Sequence, residues 1–355
     1  MSLPLVRSRI VFLDWLRGLA AIVMIQGHTF DSFLQPQLRD HPVFIFSQFF
    51  GGEAAAVFLF LTGITFALGM NRRDDLSWWP RIAGALRRSR YLFLLAFAFR
   101  LQLWLFAWPS QPWTDLLHVD VLNLMGATAA LLSVTALAHG MQRVRWAIAA
   151  GVGIAALAPL ATGLNSAAIP HLLRDYLAPR GETFGIFPWG SYLAFGLAAG
   201  SAIPLVRRGD WGRVMQWSAL CGFALLFAGR YFSNLPFSIY PHANFWLDSP
   251  ALVACKLGIT LLLASAAFLW TEYLSDGWSP VRVLGTTSLA VYWVHVELVY
   301  GRWFAAYKQN LTVWQCVEAS AALALAMVGM SVALRTARGR WQSSREVSRE
   351  KRAAA

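Results

Sequence analysis

The sequence has few charged residues for its length. Asp, Glu, Lys and Arg make up only 14% of the 355 residues, whereas 57% are hydrophobic and the mean hydropathy is +0.49. A water-soluble domain must cover its surface with polar groups, so this composition excludes an ordinary soluble protein. The short alternating segments of a membrane β-barrel are also lacking. Several apolar runs of about 18 or more residues instead predict an all-α, polytopic integral membrane helical bundle.

Cysteine is scarce as well. Cys221, Cys255 and Cys316 all fall inside apolar runs, which excludes a disulfide framework, a zinc site or a redox pair and leaves packing roles. No HExxH-like spacing occurs, so no metal is expected. The first apolar run contains Asp14 and Arg17 and no small-residue cleavage site follows it. We therefore expect it to stay as a span and not to be removed as a signal peptide.

Ten apolar runs are candidates for membrane spans, because a helix needs about 20 residues to cross the hydrocarbon core. They form one predicted transmembrane domain, residues 1–335. The basic segment 336–355 that follows is polar, which predicts a cytoplasmic tail that is disordered or forms a short surface helix. The predicted spans are 10–30, 50–70, 91–108, 119–138, 146–164, 184–206, 214–231, 250–270, 282–301 and 312–334.

Basic residues are concentrated beside the span ends on one side. The chain has 30 Lys and Arg against 18 Asp and Glu, a net charge of +12, and most of the basic residues flank the termini or follow even-numbered spans. The positive-inside rule makes this side, with both termini, cytoplasmic. The excess is thus a topology signal with anionic-lipid contact as a second effect, and no nucleic-acid partner is expected.

Ionisable side chains inside a span cost about 2.5 to 3.5 kcal/mol each on insertion scales, so they are functional candidates. The first span contains Asp14, Arg17 and His28. Asp14 and Arg17 can pair on one helical face, either as a structural ion pair or as part of a site. His28 lies about 16 Å further along the same face. It can act there as a general base, or it can be a packed core histidine.

Acids, amides and histidines gather at the outer span ends in this topology. His118, Asp120 and Asn123 enter the fourth span together, and His295 and Glu297 lie in the outer half of the ninth. Such a cluster can orient a base and bind a polar acceptor. The other members are Asp31, His41, Glu53, Asp115, His242 and Asp248.

A dense arginine group marks the cytoplasmic side at the entry of the third span. Positive-inside anchoring explains most of it. Because guanidinium groups bind phosphate bidentately, the group is also a candidate site for a phosphate-bearing donor. Its members are Arg81, Arg87, Arg88 and Arg90.

The segment RIVFLDWLRGLAAIVMIQGH, from Arg9 to His28, resembles the opening of membrane acyltransferases, and Arg17, Gly18 and His28 match the family-3 acyltransferases. Four further segments resemble bacterial relatives of heparan-α-glucosaminide N-acetyltransferase. The resemblance touches five separated places and covers most of the chain. The four segments are FLFLTGITFAL, VDVLNLMG, FPWGSYLAFG and LGTTSLAVYWVH.

One departure concerns the catalytic histidine. In heparan-type enzymes the position eleven after the Arg is typically Asn, and the acetyl-transferring His lies shortly before the second span, where this chain has His41 and, as the acidic residue, Glu53 in place of Asp. His28 thus follows one family and His41 the other. We favour His28 as the catalytic residue and keep His41 as its rival, with Arg17, Asp14 and Glu53 in the same site.

The resemblance implies transfer of an acyl group from cytoplasmic acyl-CoA, with acetyl-CoA as the expected donor. The implied acceptor is a sugar or lipid-linked glycan on the other side of a bacterial-type inner membrane. His118, Asp120, Asn123, His295 and Glu297 would then bind the acceptor. Either His28 deprotonates the acceptor, or a histidine accepts the acyl group first. The alternatives are a transporter or permease with a polar path and a scaffold or sensor. The sequence leaves open whether the chain forms a homo-oligomer.

Overall fold

The structure is a computed structural model that describes residues 10–163, 170–178, 184–240, 243–274 and 277–354. These residues form α-helices and short 3-10 or π turns, and no strand occurs among them. The helices are α1 Val11–Phe33, α2 Pro42–Asn71, α3 Trp78–Ala107, α4 Val121–Leu132, α5 Gly140–Gly163, α6 His171–Leu177, α7 Ile186–Ala202, α8 Trp211–Ser233, α9 Pro250–Leu269, α10 Pro280–Thr286, α11 Ser288–Tyr300 and α12 Val313–Ala354.

The all-α membrane class is confirmed, and each predicted span coincides with helical structure. The ninth predicted span is divided at Thr287 into α10 and α11, and α12 continues through the segment predicted as a tail. Among the described residues, seven helical segments are long and apolar enough to cross a membrane, and the count of ten and the orientation remain predictions. The seven are Pro42–Asn71, Trp78–Ala107, Trp113–Leu137, Gly140–Gly163, Ile186–Leu205, Pro250–Leu274 and Val313–Trp341.

Several large apolar side chains on the helices are mostly exposed. Leu94 on α3, Phe227 on α8 and Leu325 on α12 are exposed by 63%, 71% and 72%. Exposed apolar surface on this scale is costly in water but costs nothing against lipid tails. The outward faces of the helices therefore fit a bilayer as solvent.

The chain divides into two compact units. The first comprises Met1–Ala54 and Leu269–Ala355, and the second comprises Ala55–Phe268. The first unit contains α1, the beginning of α2 and α10 to α12. The second contains the rest of α2 and α3 to α9, so α2 runs from one unit into the other.

In the first unit, α1 and the α10–α11 segment run parallel and in register. Gly18 lies against Gly285, the ring of His28 against that of His295, and Ser32 Oγ donates to the carbonyl of Val299 at 2.9 Å. Each of these pairs is 267 residues apart in sequence. Because this offset stays constant from Gly18 to Ser32, the two segments run in the same direction with no shift between them.

Two glycine contacts hold α1 close to its neighbours. A methyl group added at Gly18 would lie 1.8 Å from the carbonyl oxygen of Val281, and one added at Gly285 would lie 1.7 Å from that of Asp14. At the other end of α1, the Cα of Gly51 on α2 lies 2.7 Å from where a Cβ of Gly27 would stand. Small residues allow such close backbone approach between membrane helices, where dispersion contacts drive association.

In the second unit, glycines also allow close backbone contact where α2 meets α7. A Cβ at Gly63 would lie 2.1 Å from the carbonyl oxygen of Leu193, and one at Gly196 would lie 1.9 Å from that of Phe60. Ser89 on α3 donates to the carbonyl of Gly126 on α4 at 2.8 Å. Helix crossings in this unit thus combine small residues with hydroxyl groups that satisfy backbone oxygens.

We expect Gly285→Ala to destabilise the protein, because its methyl group would overlap the backbone of α1. Overpacking of this kind costs about 1 to 3 kcal/mol. Gly329→Ala on α12 is the matched control, because no atom lies within 4 Å of its added methyl group. The thermal midpoint in detergent, followed by tryptophan fluorescence, should fall for Gly285→Ala and hold or rise for Gly329→Ala. Equal midpoints would contradict the close contact.

Candidate active site

Two histidines of the first unit form a hydrogen-bonded pair. Nδ1 of His28 lies 2.9 Å from Nε2 of His295, and the two rings are nearly parallel, with centroids 5.1 Å apart. Nδ1 of His295 is in turn 2.8 Å from the carbonyl oxygen of Val291. His295 is fully buried, whereas His28 is partly exposed. Only one ring of the pair therefore reaches accessible space, and the other supports it from behind.

Tyr300 connects the His28 ring to further polar side chains. The ring of Tyr300 meets that of His28 edge to face at 5.3 Å, and its hydroxyl donates to Asp31 Oδ2 at 2.8 Å. Arg39 donates to the carbonyl of Asp31 at 2.7 Å. Lys308 donates to the carbonyl of Tyr300 at 2.6 Å. One acid and two cations thus accompany the histidines at the carboxyl ends of α1 and α11.

Glu297 lies one turn of α11 before the loop that follows it. Nε1 of Trp303 donates to its Oε1 at 3.0 Å, and the amide of Gly301 donates to its carbonyl. A side chain at Gly301 would overlap both the carbonyl and the carboxylate. Glu297 is 7% exposed, and the loop after α11 hydrogen-bonds both its carboxylate and its backbone carbonyl.

The other candidates of the first unit have separate environments. Asp14 and Arg17 form the expected ion pair, with an N–O distance of 2.9 Å. His41 is exposed, and its Nδ1 accepts the amide of Val43 at 3.2 Å, so it caps the start of α2. Glu53 is buried on α2, two residues beyond Gly51.

In the second unit, Asp120 begins α4. Its Oδ1 accepts the amides of Leu122 and Asn123 at 3.0 Å each, which caps the helix, and its Oδ2 accepts from Nε of Arg100 at 3.0 Å. This intramembrane arginine and the acid thus satisfy each other. His118 is exposed just before this cap, and Asn123 Nδ2 donates to its carbonyl at 3.3 Å.

Tyr176 on α6 joins the same group, since its hydroxyl lies 3.4 Å from Asn123 Oδ1. Burial raises the pKa of Tyr176, and the negative charge of Asp120 raises it further. Both effects disfavour the phenolate, so the hydroxyl stays a donor at neutral pH. The group therefore presents a protonated phenol beside a buried amide.

The four arginines of the predicted donor site do not share one environment. Arg81 is buried, with Nη2 donating to the carbonyl of Ala138 at 2.8 Å and Nη1 lying 2.7 Å from Nε2 of His139. The other three lie exposed along α3, where Arg88 covers the ring of Tyr91 at 5.3 Å. These three are Arg87, Arg88 and Arg90.

Arg81 adjoins a buried network around Arg143, a basic residue that follows the fourth predicted span. Arg143 is 0% exposed and donates to Asn71 Oδ1 at 2.6 Å, to the carbonyls of Thr135 and Ala138, and to the carboxylate of Asp74. Asp74 also lies 3.9 Å from Arg81. One acid therefore balances two arginines in this part of the second unit.

Three further members of the outer group have these positions. Asp248 is buried, and it accepts from the hydroxyl of Thr162 and from the amide of Asn244. Asp115 lies in the 3-10 turn before α4, and His242 lies outside the described residues. Among the residues that the structure describes, no three ligand-type side chains converge as a metal site.

Residues 9–235 match the family described as heparan-alpha-glucosaminide N-acetyltransferase, catalytic. The chain belongs to this family. The match covers more than half of the 355 residues and includes His28, although His295 lies beyond it. Together with the span-capable helices, it makes the chain a membrane acetyltransferase. No curated protein matches the chain.

The structure of this acetyltransferase brings His28 and His295 together, and separately Asp120 with Asn123. Sequence reasoning missed Tyr300 and the pairing of Arg100. The signal for Arg100 was its place in a span, where an unpaired cation is too costly to persist. Tyr300 gave no signal of its own, because a tyrosine at a span end is usual at a membrane interface.

We expect Arg143→Met to destabilise the acetyltransferase by about 3 to 5 kcal/mol, because it removes a buried cation from Asp74 and leaves backbone oxygens without a donor. Arg145→Met is the matched control, since Arg145 is exposed two residues away. Thermal unfolding in detergent should separate the two variants clearly. Indistinguishable midpoints would mean that the network is not energetically important.

Proposed function

We propose that this acetyltransferase moves an acetyl group from acetyl-CoA on the cytoplasmic side to a hydroxyl or amine of a sugar-bearing acceptor on the other side. The observation that supports it is the His28–His295 pair. A partly exposed imidazole held by a second, buried imidazole has the arrangement expected of an oriented general base.

In the direct route, Nε2 of His28 takes the proton of the acceptor as the acceptor attacks the thioester carbonyl. The new bond from carbon to oxygen or nitrogen forms, the carbon–sulfur bond breaks, and the CoA thiolate leaves. The thiolate then takes the proton from His28, which returns to its neutral form. The acyl-histidine route remains the alternative, and a trapped acetyl-histidine with ping-pong kinetics would favour it.

The donor's phosphate groups are proposed to bind at the start of α3. Arg87, Arg88 and Arg90 are exposed there, and their guanidinium groups can form bidentate contacts with phosphate, although that of Arg88 also covers the ring of Tyr91. Arg81 is buried, and no described group hydrogen-bonds its Nε. We propose that Arg81 adds positive charge behind this phosphate site, while Ala138 and His139 hold its guanidinium group in place.

His28→Ala should reduce acetyl transfer by roughly 10² to 10⁴-fold, the usual contribution of a general base. The assay incubates the purified full chain with labelled acetyl-CoA and glucosamine-bearing acceptors, and measures transfer and thioester hydrolysis. His41→Ala is the control and should retain activity, because His41 only caps α2 in this structure. Loss of activity in His41→Ala alone would transfer the catalytic role to His41. A wild-type chain that neither binds nor cleaves acetyl-CoA would overturn the proposed function.

Replacing Arg87, Arg88 and Arg90 together by Gln should raise the KM for acetyl-CoA by roughly tenfold or more and leave kcat nearly unchanged, because charge-assisted phosphate contacts contribute to binding in ground and transition states alike. Arg213→Gln at the start of α8 is the control, since its side chain is 76% exposed and remote in sequence from α3. An unchanged KM in the triple variant would refute this donor site.

A further inference from the structure

We infer that His295 is a positioning residue that fixes the tautomer of His28, so that Nε2 of His28 is the reacting atom. This inference deepens the proposed function and rests on it. It concerns a residue that sequence reasoning assigned to acceptor binding. The pair of ring–ring and ring–backbone hydrogen bonds, 2.9 Å and 2.8 Å long, carries the inference.

A backbone carbonyl fixes the direction of both hydrogen bonds. A carbonyl oxygen only accepts, so Nδ1 of His295, 2.8 Å from the carbonyl of Val291, must carry the proton. A neutral imidazole has one N–H, and Nε2 of His295 is therefore an acceptor. The contact at 2.9 Å then requires Nδ1 of His28 to donate. Nε2 of His28 is left with its lone pair.

The geometry and burial of the pair exclude two of its charged forms. If both rings were imidazolium ions, two N–H groups would face each other across 2.9 Å. A charged ring at His295 would also lie in a site that is 0% exposed, where an unpaired charge is costly. With His28 also neutral, as a general base must be at rest, the resting pair is two neutral rings linked by one hydrogen bond.

Nε2 of His28 is available for chemistry. No described residue of the first unit hydrogen-bonds this nitrogen, whereas the rings of Tyr300 and His295 contact the imidazole on two sides. The ring of Tyr292 in turn meets that of His295 at 6.1 Å. These ring contacts oppose a flip of His28 that would exchange its two nitrogens.

Both chemical routes use the same atom. In the acyl-histidine route, Nε2 attacks the thioester carbonyl, the carbon–sulfur bond breaks to release the CoA thiolate, and the Nδ1 proton passes to Nε2 of His295. When the acceptor takes the acetyl group, the bond from Nε2 to carbon breaks and that proton returns to Nδ1. CoA has left by then, so the acceptor releases its own proton to water and the thiolate takes one from water. His295 therefore orients the base in one route and holds a proton in the other.

The kinetic test compares His295→Leu with His295→Gln. Leucine cannot accept from Nδ1 of His28, and kcat should fall by roughly 10²-fold while the KM for acetyl-CoA stays nearly constant, since loss of the correct tautomer impairs the chemical step. Glutamine offers Oε1 near the position of the lost Nε2 and should recover at least tenfold of that loss. His171→Leu, at an exposed histidine on α6, is the matched control and should retain activity.

A spectroscopic test is independent of activity. The full chain is labelled with ¹⁵N-histidine, reconstituted in lipid nanodiscs, and compared with a His28→Gln sample to assign the His28 signals. We expect a neutral His28 with its proton on Nδ1 in the wild type. In His295→Leu the proton should shift in large part to Nε2, and His295→Gln should restore the wild-type pattern.

The outcomes separate the inference from the function on which it rests. If the wild-type chain transfers no acetyl group but shows the Nδ1–H tautomer, the proposed function fails and the structural part of the inference stands. If transfer occurs and His295→Leu retains wild-type kcat, or if His28 carries its proton on Nε2 in the wild type, the inference is overturned. A folded His295→Gln that is as inactive as His295→Leu would also overturn it.

Discussion

The backbone contact between α1 and α10 sets the geometry of the first unit. No side chain separates Gly18 from Gly285, so the two helices approach until carbonyl oxygens meet Cα atoms. Each glycine precedes a histidine of the pair by ten residues, His28 on α1 and His295 on α11. The close approach thus sets the register in which the two imidazoles meet at 2.9 Å. Dispersion and backbone contacts at one level of the bundle position the chemistry at another.

Two polar networks elsewhere follow the preference that a bilayer imposes, namely that a buried polar group has a partner inside the protein. Asp120 illustrates this, since one carboxylate oxygen caps α4 while the other pairs with Arg100. Arg143 is satisfied by backbone and side-chain oxygens together. Such networks leave few hydrogen-bonding groups available to a substrate. The His28–His295 pair differs, because it ends at an accessible nitrogen.

The sequence was sufficient for the fold class and for most helices, because apolar runs and their polar ends follow directly from the thickness of a bilayer. It also drew attention to His28 and His295 through the cost of ionisable groups in spans. It could not reveal that they pair, since two residues 267 positions apart meet only through tertiary packing. The motif glycines Gly18, Gly63, Gly196 and Gly285 were noticed as parts of a resemblance, whereas in the structure they are helix contacts. The break at Thr287 had no sequence signal such as proline.

The parallel course of α1 and α10–α11 constrains topology by parity. If both segments cross the bilayer in the same direction, the chain between them must cross an odd number of times. Among the described residues between them, helical segments in α2 to α5, α7 and α9 have the length and hydropathy for six crossings. An even number would return the chain to the wrong side for α10. Parity therefore favours α8, which has 23 residues but lower hydropathy, as the seventh crossing.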